Sequence, residues 1–139
     1  MGVLTAASRR GMVRQMRAAH DHAISLNPRS FTFLRTLYAD DQLAEATRTQ
    51  QEVGPFVCRL YQDRYARETT TSSLGAPVTA GQRWGMLTPW HVKLVGDPDL
   101  GDEFTAPEGY FRVREVFRHA LGPTDDETWG HECDVVRLA

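Results

Sequence analysis

The sequence predicts a mainly β protein: a small barrel or sandwich of five or six antiparallel strands, with an N-terminal α-helix and one long inserted loop. Three observations predict it. Before Asn27-Pro28 the apolar residues recur at three-to-four spacing, the period of a helix. From Ser30 onward they alternate with a period of two, in short runs parted by Gly, Pro, Asn and Asp, the pattern of half-buried strands and turns. At 139 residues, 41% hydrophobic and 24% charged, the chain suits one domain around a single core. The expected division is a helix within residues 1–28 and a β-barrel domain over 29–139.

Residues 4–26, LTAASRRGMVRQMRAAHDHAISL, read as the helix. Met12 or Val13, Met16, Ala19 or His20, and Ala23 or Ile24 fall on one apolar stripe. Arg10, Arg14 and Arg17 repeat at the same period on another side and form a basic ridge. Gly11 weakens the middle by about 1 kcal/mol relative to Ala. Asn27-Pro28 ends the element, because Pro disfavours helical backbone at the residue before it.

The strands follow in order. SFTFLRTLY places Phe31 and Phe33 on one face and Thr32, Leu34 and Thr36 on the other. VGPFVCRLYQ sets Phe56, Cys58 and Leu60 against Val57, Arg59 and Tyr61. Between them, ADDQLAEATRTQQE is polar and fits a loop, a short helical turn or a frayed strand. RWGMLTPWHVKL carries Trp84 and Met86, a break at Pro89, then Trp90, Val92 and Leu94. In GYFRVREVF, Phe111 and Val113 keep step while Val116 falls out of it, the mark of a β-bulge. HECDVVRL is the last strand. Residues 63–81, DRYARETTTSSLGAPVTAG, interrupt this spacing and are expected as a long flexible loop, the kind of segment that usually carries function.

GDPDLGDEFTAPEGYFRVREVFRHA, residues 96–120, has the look of an acidic site. Its acids, Asp97, Asp99, Asp102 and Glu103, are separated by Gly and Pro and are expected on a solvated turn. Gly101-Asp102 would end one strand and begin the next, Glu108-Gly109 would make the tight reversal, and Tyr110 to Phe117 the hairpin's second strand. The stretch reads as architecture rather than catalysis.

No other pattern argues for chemistry. Cys58 and Cys133 lie in strand-like runs without a CxxC pair, so they are expected as small buried apolar residues in a reducing setting. His20 and His22 are two apart and point to different sides of a helix, whereas zinc-binding helices use wider spacing. His91, His119 and His131 show no ligand spacing, and no metal or cofactor is expected. GxSxG, P-loop and GxGxxG motifs are all missing from the sequence, so an enzyme is not expected. No run approaches the roughly 18 to 20 apolar residues of a membrane span, and MGVLTAASRRGMVRQ lacks the apolar region of a secretory leader.

The net charge of −2 hides an asymmetry: up to Arg35 the chain carries six Arg and a single acid, Asp21. Fifteen of the sixteen basic residues are Arg, which suits planar contacts at interfaces and phosphates. A small β-barrel reader of nucleic acid would use such a basic helix, with Trp84, Trp90 and Tyr110 as stacking surfaces. Against it, the barrel part is acidic, and aromatics that alternate along strands usually belong to a core.

LTPWHVKLVGDPDLGDEFTAPEGYFRVREVF, followed by the final HECDVVRL, resembles the C-terminal half of the head-closure proteins of tailed bacteriophages, also called head-to-tail stopper or connector proteins. Gly101-Asp102, Tyr110 to Val116 and Cys133 to Leu138 match that family's turn and last strands. SFTFLRTLY and VGPFVCRLYQ resemble its first two strands, so the resemblance covers residues 30–139. The helix is additional to the shortest members. The resemblance implies a structural virion protein of the head–tail neck, made in the bacterial cytoplasm. It would form a homo-oligomeric ring between portal or adaptor proteins and tail-terminator or tail-tube proteins, around packaged double-stranded DNA. An adaptor or tail-terminator protein is the alternative in the same setting. The segment with Glu68, Thr69, Thr70, Thr71, Ser72 and Ser73 falls where stopper proteins carry the channel loop that retains DNA. In such a ring, Arg10, Arg14 and Arg17 of one copy would meet Asp97, Asp99 and Asp102 of the next.

Overall fold

One helix is followed by six strands: α1 (Ala6–Ser25), β1 (Arg29–Tyr38), β2 (Arg48–Thr71), β3 (Pro77–Thr88), β4 (Glu103–Ala106), β5 (Gly109–Ala120) and β6 (Thr128–Arg137), with a 3-10 turn at Asp125–Glu127. This computed structural model describes the backbone of residues 6–38, 48–71 and 77–139, and side chains over 8–37, 49–62 and 83–139. The strands close into an antiparallel barrel in the order β1-β2-β3-β6-β5-β4. The expected fold class holds, as a barrel rather than a sandwich. On the helix, burial selects Val13, His20 and Ile24 for the inward stripe, while Met12 is exposed.

The period-two pattern becomes the core. Phe31 and Phe33 of β1, Cys58 and Leu60 of β2, Met86 of β3, Phe104 of β4, Phe111 and Val113 of β5, and Cys133 and Val135 of β6 all face inward and are buried. Phe104 is the centre of an aromatic cluster, with ring centroids 4.9 Å from Phe31, 5.2 Å from Phe33 and 5.3 Å from Phe111. Both cysteines are free, and burial pushes each thiol up to about 12. The bulge expected in β5 is present: the β5–β6 register shifts between Val113 and Glu115, which turns Val116 back against the core. The tight reversal before Gly109 is also present, joining β4 to β5. Gly109 takes φ +147° there, where a Cβ would lie 2.4 Å from the Ala139 carbonyl oxygen.

Two expectations need correction. Asp102 does not sit on a solvated turn; it is 0% exposed. Gly101-Asp102 does not end a strand either, since residues 89–102 carry none. Instead the loop folds back onto β5: Asp97 N–H donates to Val113 O (3.1 Å), and Val113 N–H donates to Asp102 O (2.7 Å). This approach requires glycine at 101, where a Cβ would fall 1.8 Å from Val113 O. A Gly/Pro-rich acidic run signals a turn but not which side of it faces inward. Glu103 is likewise engaged, accepting from Arg112 at 2.6 Å and from the Tyr110 hydroxyl.

The burial of Asp102 has a purpose at the closing seam. The β1–β4 pair has a single matched position, Leu34↔Glu103. At the next position Arg35 donates to Asp102 twice, Nε to Oδ1 at 3.0 Å and Nη2 to Oδ2 at 2.8 Å. Asp102 Oδ2 also accepts the Val95 N–H at 2.8 Å. At the far end of the seam, Arg29 Nη1 donates to both Glu108 oxygens at 2.8 Å.

The long insertion stands where expected, between the barrel portions of β2 and β3, and its described backbone refines the picture. Pairs run from Asp63↔Arg83 through Arg67↔Gln82 to Thr69↔Thr79, Thr70↔Val78 and Thr71↔Pro77, with register shifts on either side of Arg67. The two strands thus continue as an irregular arm. Thr has good strand propensity, but without alternating apolar residues the segment carries no periodic signal. β2 serves two partners in turn: Arg48 to Cys58 pair with β1, and Arg59 to Thr71 pair with β3.

Asp102→Ala strands the Arg35 guanidinium and the Val95 N–H, and is expected to lower unfolding free energy by about 3–5 kcal/mol. Asp99→Ala, on the exposed part of the loop, is expected to stay within about 0.5 kcal/mol of the parent in the same urea titration.

Candidate functional site

The basic ridge divides in two. Arg17 is committed to the barrel: Nε donates to Thr128 O at 2.8 Å and Nη2 to Asp126 O at 3.0 Å, and its guanidinium lies 3.7 Å from the centre of the Trp90 ring. One turn on, His20 Nε2 lies 2.8 Å from Thr88 O. A carbonyl only accepts, so this nitrogen carries the hydrogen. The His20 ring stands edge-on to Trp129 at 5.7 Å and presses on Gly130, where a Cβ would come within 2.5 Å of it. Arg17 and His20 therefore dock α1 on the barrel. Arg10 and Arg14 are exposed and face no carboxylate at ion-pair distance among the described residues.

The acidic set divides as well. Asp97 Oδ1 accepts the backbone N–H groups of Asp99 (2.8 Å) and Leu100 (2.9 Å); these two bonds hold its carboxyl below the ordinary carboxylate range. Asp99 is exposed, while Asp102 is spent on the seam. Only Asp97 and Asp99 remain for an outside partner. Of the segment expected to line a channel, Glu68, Thr69, Thr70 and Thr71 belong to the β2 ladder of the arm; Ser72 and Ser73 lie outside the described residues. The aromatics considered for stacking are occupied: Trp84 packs edge-on to Phe111 at 5.1 Å, Trp90 lies under Arg17, and the Tyr110 hydroxyl binds Glu103.

Sequence reading missed a surface where the arm leaves the barrel. A cavity of about 260 Å³ lies there between Tyr61, Trp84, Phe117 and the acids Glu132 and Asp134. Register brings these residues together: Tyr61 is opposite Gly85, and Gly85 opposite Asp134. Gly85 leaves room for the Tyr61 ring, which an added Cβ would meet at 2.4 Å. The Tyr61 hydroxyl donates to Glu132 Oε1 at 2.6 Å, and His119 Nε2 lies 3.3 Å from Glu132 Oε2. Asp134 accepts from Arg83 at 3.2 Å and from Arg114 at 2.9 and 2.6 Å. Phe117, 44% exposed, stands beside this polar rim. An exposed aromatic ringed by fixed charges has the anatomy of a protein contact. The only sequence signal was charge at alternate positions of β6, Glu132 and Asp134, which gains meaning once their cross-strand partners are known.

Among the described residues, no three His, Cys, Asp or Glu side chains gather in metal-holding geometry. No protein-family model matches the chain, and no curated protein matches it. The fold and these surfaces define a class: a closed six-stranded antiparallel barrel with a docked N-terminal helix and a projecting β2–β3 arm.

His20→Ala is expected to raise amide exchange throughout α1 while the barrel strands keep their protection, since the loss falls on the dock and not on the core. Stability should also fall with acid through His131. Burial holds its pKa below the ordinary 6.5, with Arg118, His20 and His119 nearby acting in the same direction and the bond to Pro89 O opposing. A depressed folded pKa gives stability that is full above 6.5 and lost as pH falls through the folded value. Urea midpoints across that range should drop less for His131→Gln than for the parent.

Proposed function

We propose that the chain is a structural neck protein of a tailed bacteriophage, a head-closure or stopper protein that acts as a ring beneath the portal and adaptor. The observation that carries this reading is the β2–β3 arm, which continues beyond the barrel as a paired ladder to Thr71 and Pro77. It falls where the resembling family carries its channel segment. A ladder keeps its backbone groups bonded to each other, so it can project without the support of a core. Retention of DNA then needs steric obstruction and no covalent chemistry, and contact with the duplex is independent of base sequence.

Ring closure requires a heterologous contact repeated around an axis. Arg10 and Arg14 of one copy, meeting Asp97 and Asp99 of the next, supply opposite charges that form no ion pair among the described residues of their own chain. Each exposed pair contributes only about 0.2–1 kcal/mol, so an apolar contact has to carry most of the energy, and Phe117 at the arm base is suited to it. The portal or adaptor above and the tail-terminator or tail tube below would take the two ends of the ring.

Negative-stain images of the purified full chain are expected to show rings with a central channel. Reversing Arg10 and Arg14 to Glu should shift the protein toward monomer. Replacing residues 64–81 by a short turn should leave rings whose channel is wider. A parent protein that sediments as a monomer at all concentrations would overturn the ring.

A further inference from the structure

The barrel end where Arg17 docks over Trp90 also holds a cavity that the arm does not reach. Segment 89–95 crosses this end and, with the ends of β5 and β6, encloses the cavity, of about 420 Å³. Trp90, Leu94 and Val116 form its apolar wall. Barrel mouths lined mainly by apolar groups, with a few placed polar atoms, are common ligand sites.

The polar atoms here are specific. His131 is 6% exposed, and its Nδ1 lies 3.2 Å from Pro89 O. The carbonyl can only accept, so Nδ1 holds the hydrogen and Nε2 keeps a bare lone pair. Among the described residues Nε2 has no hydrogen-bond partner, and His131 lines the cavity. Arg118 is the residue opposite His131 in the β5–β6 register. Its Nε donates to Thr128 Oγ1, and its Nη2 donates to the carbonyls of Gly122 and Thr124. This fixes the guanidinium in place while Nη1 has no partner among the described residues. Lys93 reaches Asp125 at 2.7 Å, but both are largely exposed, and such a pair is weak enough to open toward a ligand. Lys93 and Arg118 against Asp125 alone leave one positive charge at the mouth.

We infer that this mouth binds a small 2-hydroxy carboxylate with an apolar tail. The carboxylate would meet Arg118 and Lys93, the hydroxyl would donate to His131 Nε2, and the tail would lie along Trp90, Leu94 and Val116. Arg118 and His131 are opposite each other in the β5–β6 register and share one wall of the cavity, which favours a ligand whose hydroxyl and carboxylate are close together. This inference is independent of the neck reading.

Mandelate, phenylacetate and mandelamide test it, because the second lacks the hydroxyl and the third the charge. Titrated into the full chain, mandelate is expected to shift the His131 imidazole resonances. The other two should bind about tenfold more weakly, the usual effect of one lost polar contact. Leu94→Trp, which fills the cavity, should abolish the shift; because Leu94 also packs in the barrel core, circular dichroism first establishes that the variant is folded. Lys93→Gln, at an exposed position, should weaken mandelate several-fold and covers the case in which Leu94→Trp does not fold. An unmoved His131 signal overturns the site. So does equal affinity for the three compounds, or mandelate binding unchanged by Lys93→Gln.

Discussion

The barrel depends on how β1 meets β4. Every other neighbouring pair of strands shares a ladder of four or more matched positions, whereas this seam has Leu34↔Glu103 alone. One backbone pair does not define a register, and a one-residue slip in a strand turns its apolar face outward. Here side chains take over the task. The Arg35–Asp102 fork sits one position along from the backbone pair, Arg29–Glu108 lies at the other end, and Phe31, Phe33 and Phe104 interlock between them. A buried ion pair contributes little net stability, because desolvation offsets most of the attraction, but removing one partner leaves the other buried and uncompensated, which is strongly unfavourable. The acidic loop therefore belongs to the folding problem. Gly101 brings Asp102 inside, and Asp102 holds the sheet closed.

Much of this was readable from residue order because the barrel is built from local periodicity. Phe31 and Phe33, Phe56 to Leu60, and Phe111 and Val113 announce their inward face by alternation. Even the β5 bulge was visible, as Val116 falling out of step. What stayed hidden depends on contacts across the chain. Asp102 looks identical to Asp97 and Asp99 until Arg35, 67 positions away, is seen beside it. Arg17 shares the helical period of Arg10 and Arg14 but lands over Trp90. The arm escaped notice as strand because its Thr- and Ser-rich sequence has no alternation of apolar residues. Glu132 and Tyr61 likewise gain their relation only through the register of β3 between them.

The helix and the arm attach to the barrel in different ways. α1 is held by few, directional contacts: His20 and Arg17 each reach a backbone carbonyl, with Val13 and Ile24 buried beneath. Both anchors reach carbonyls at strand ends, Thr88 of β3 and Thr128 of β6, and pack on Trp90 and Trp129, so the dock would loosen if the barrel opened. The arm is continuous with the sheet, and its base is stiffened by the Tyr61–Glu132 and Arg83–Asp134 links.

β2 gives its first half to β1 and its second half to β3. It is thus a tie rod common to two hairpins. Pulling along either one loads the inter-strand bonds in shear, so many must yield together, whereas a sideways peel would break them singly. A tug on the arm is passed through unbroken covalent backbone to β1, and from there to the Arg35 fork that keeps the cylinder shut.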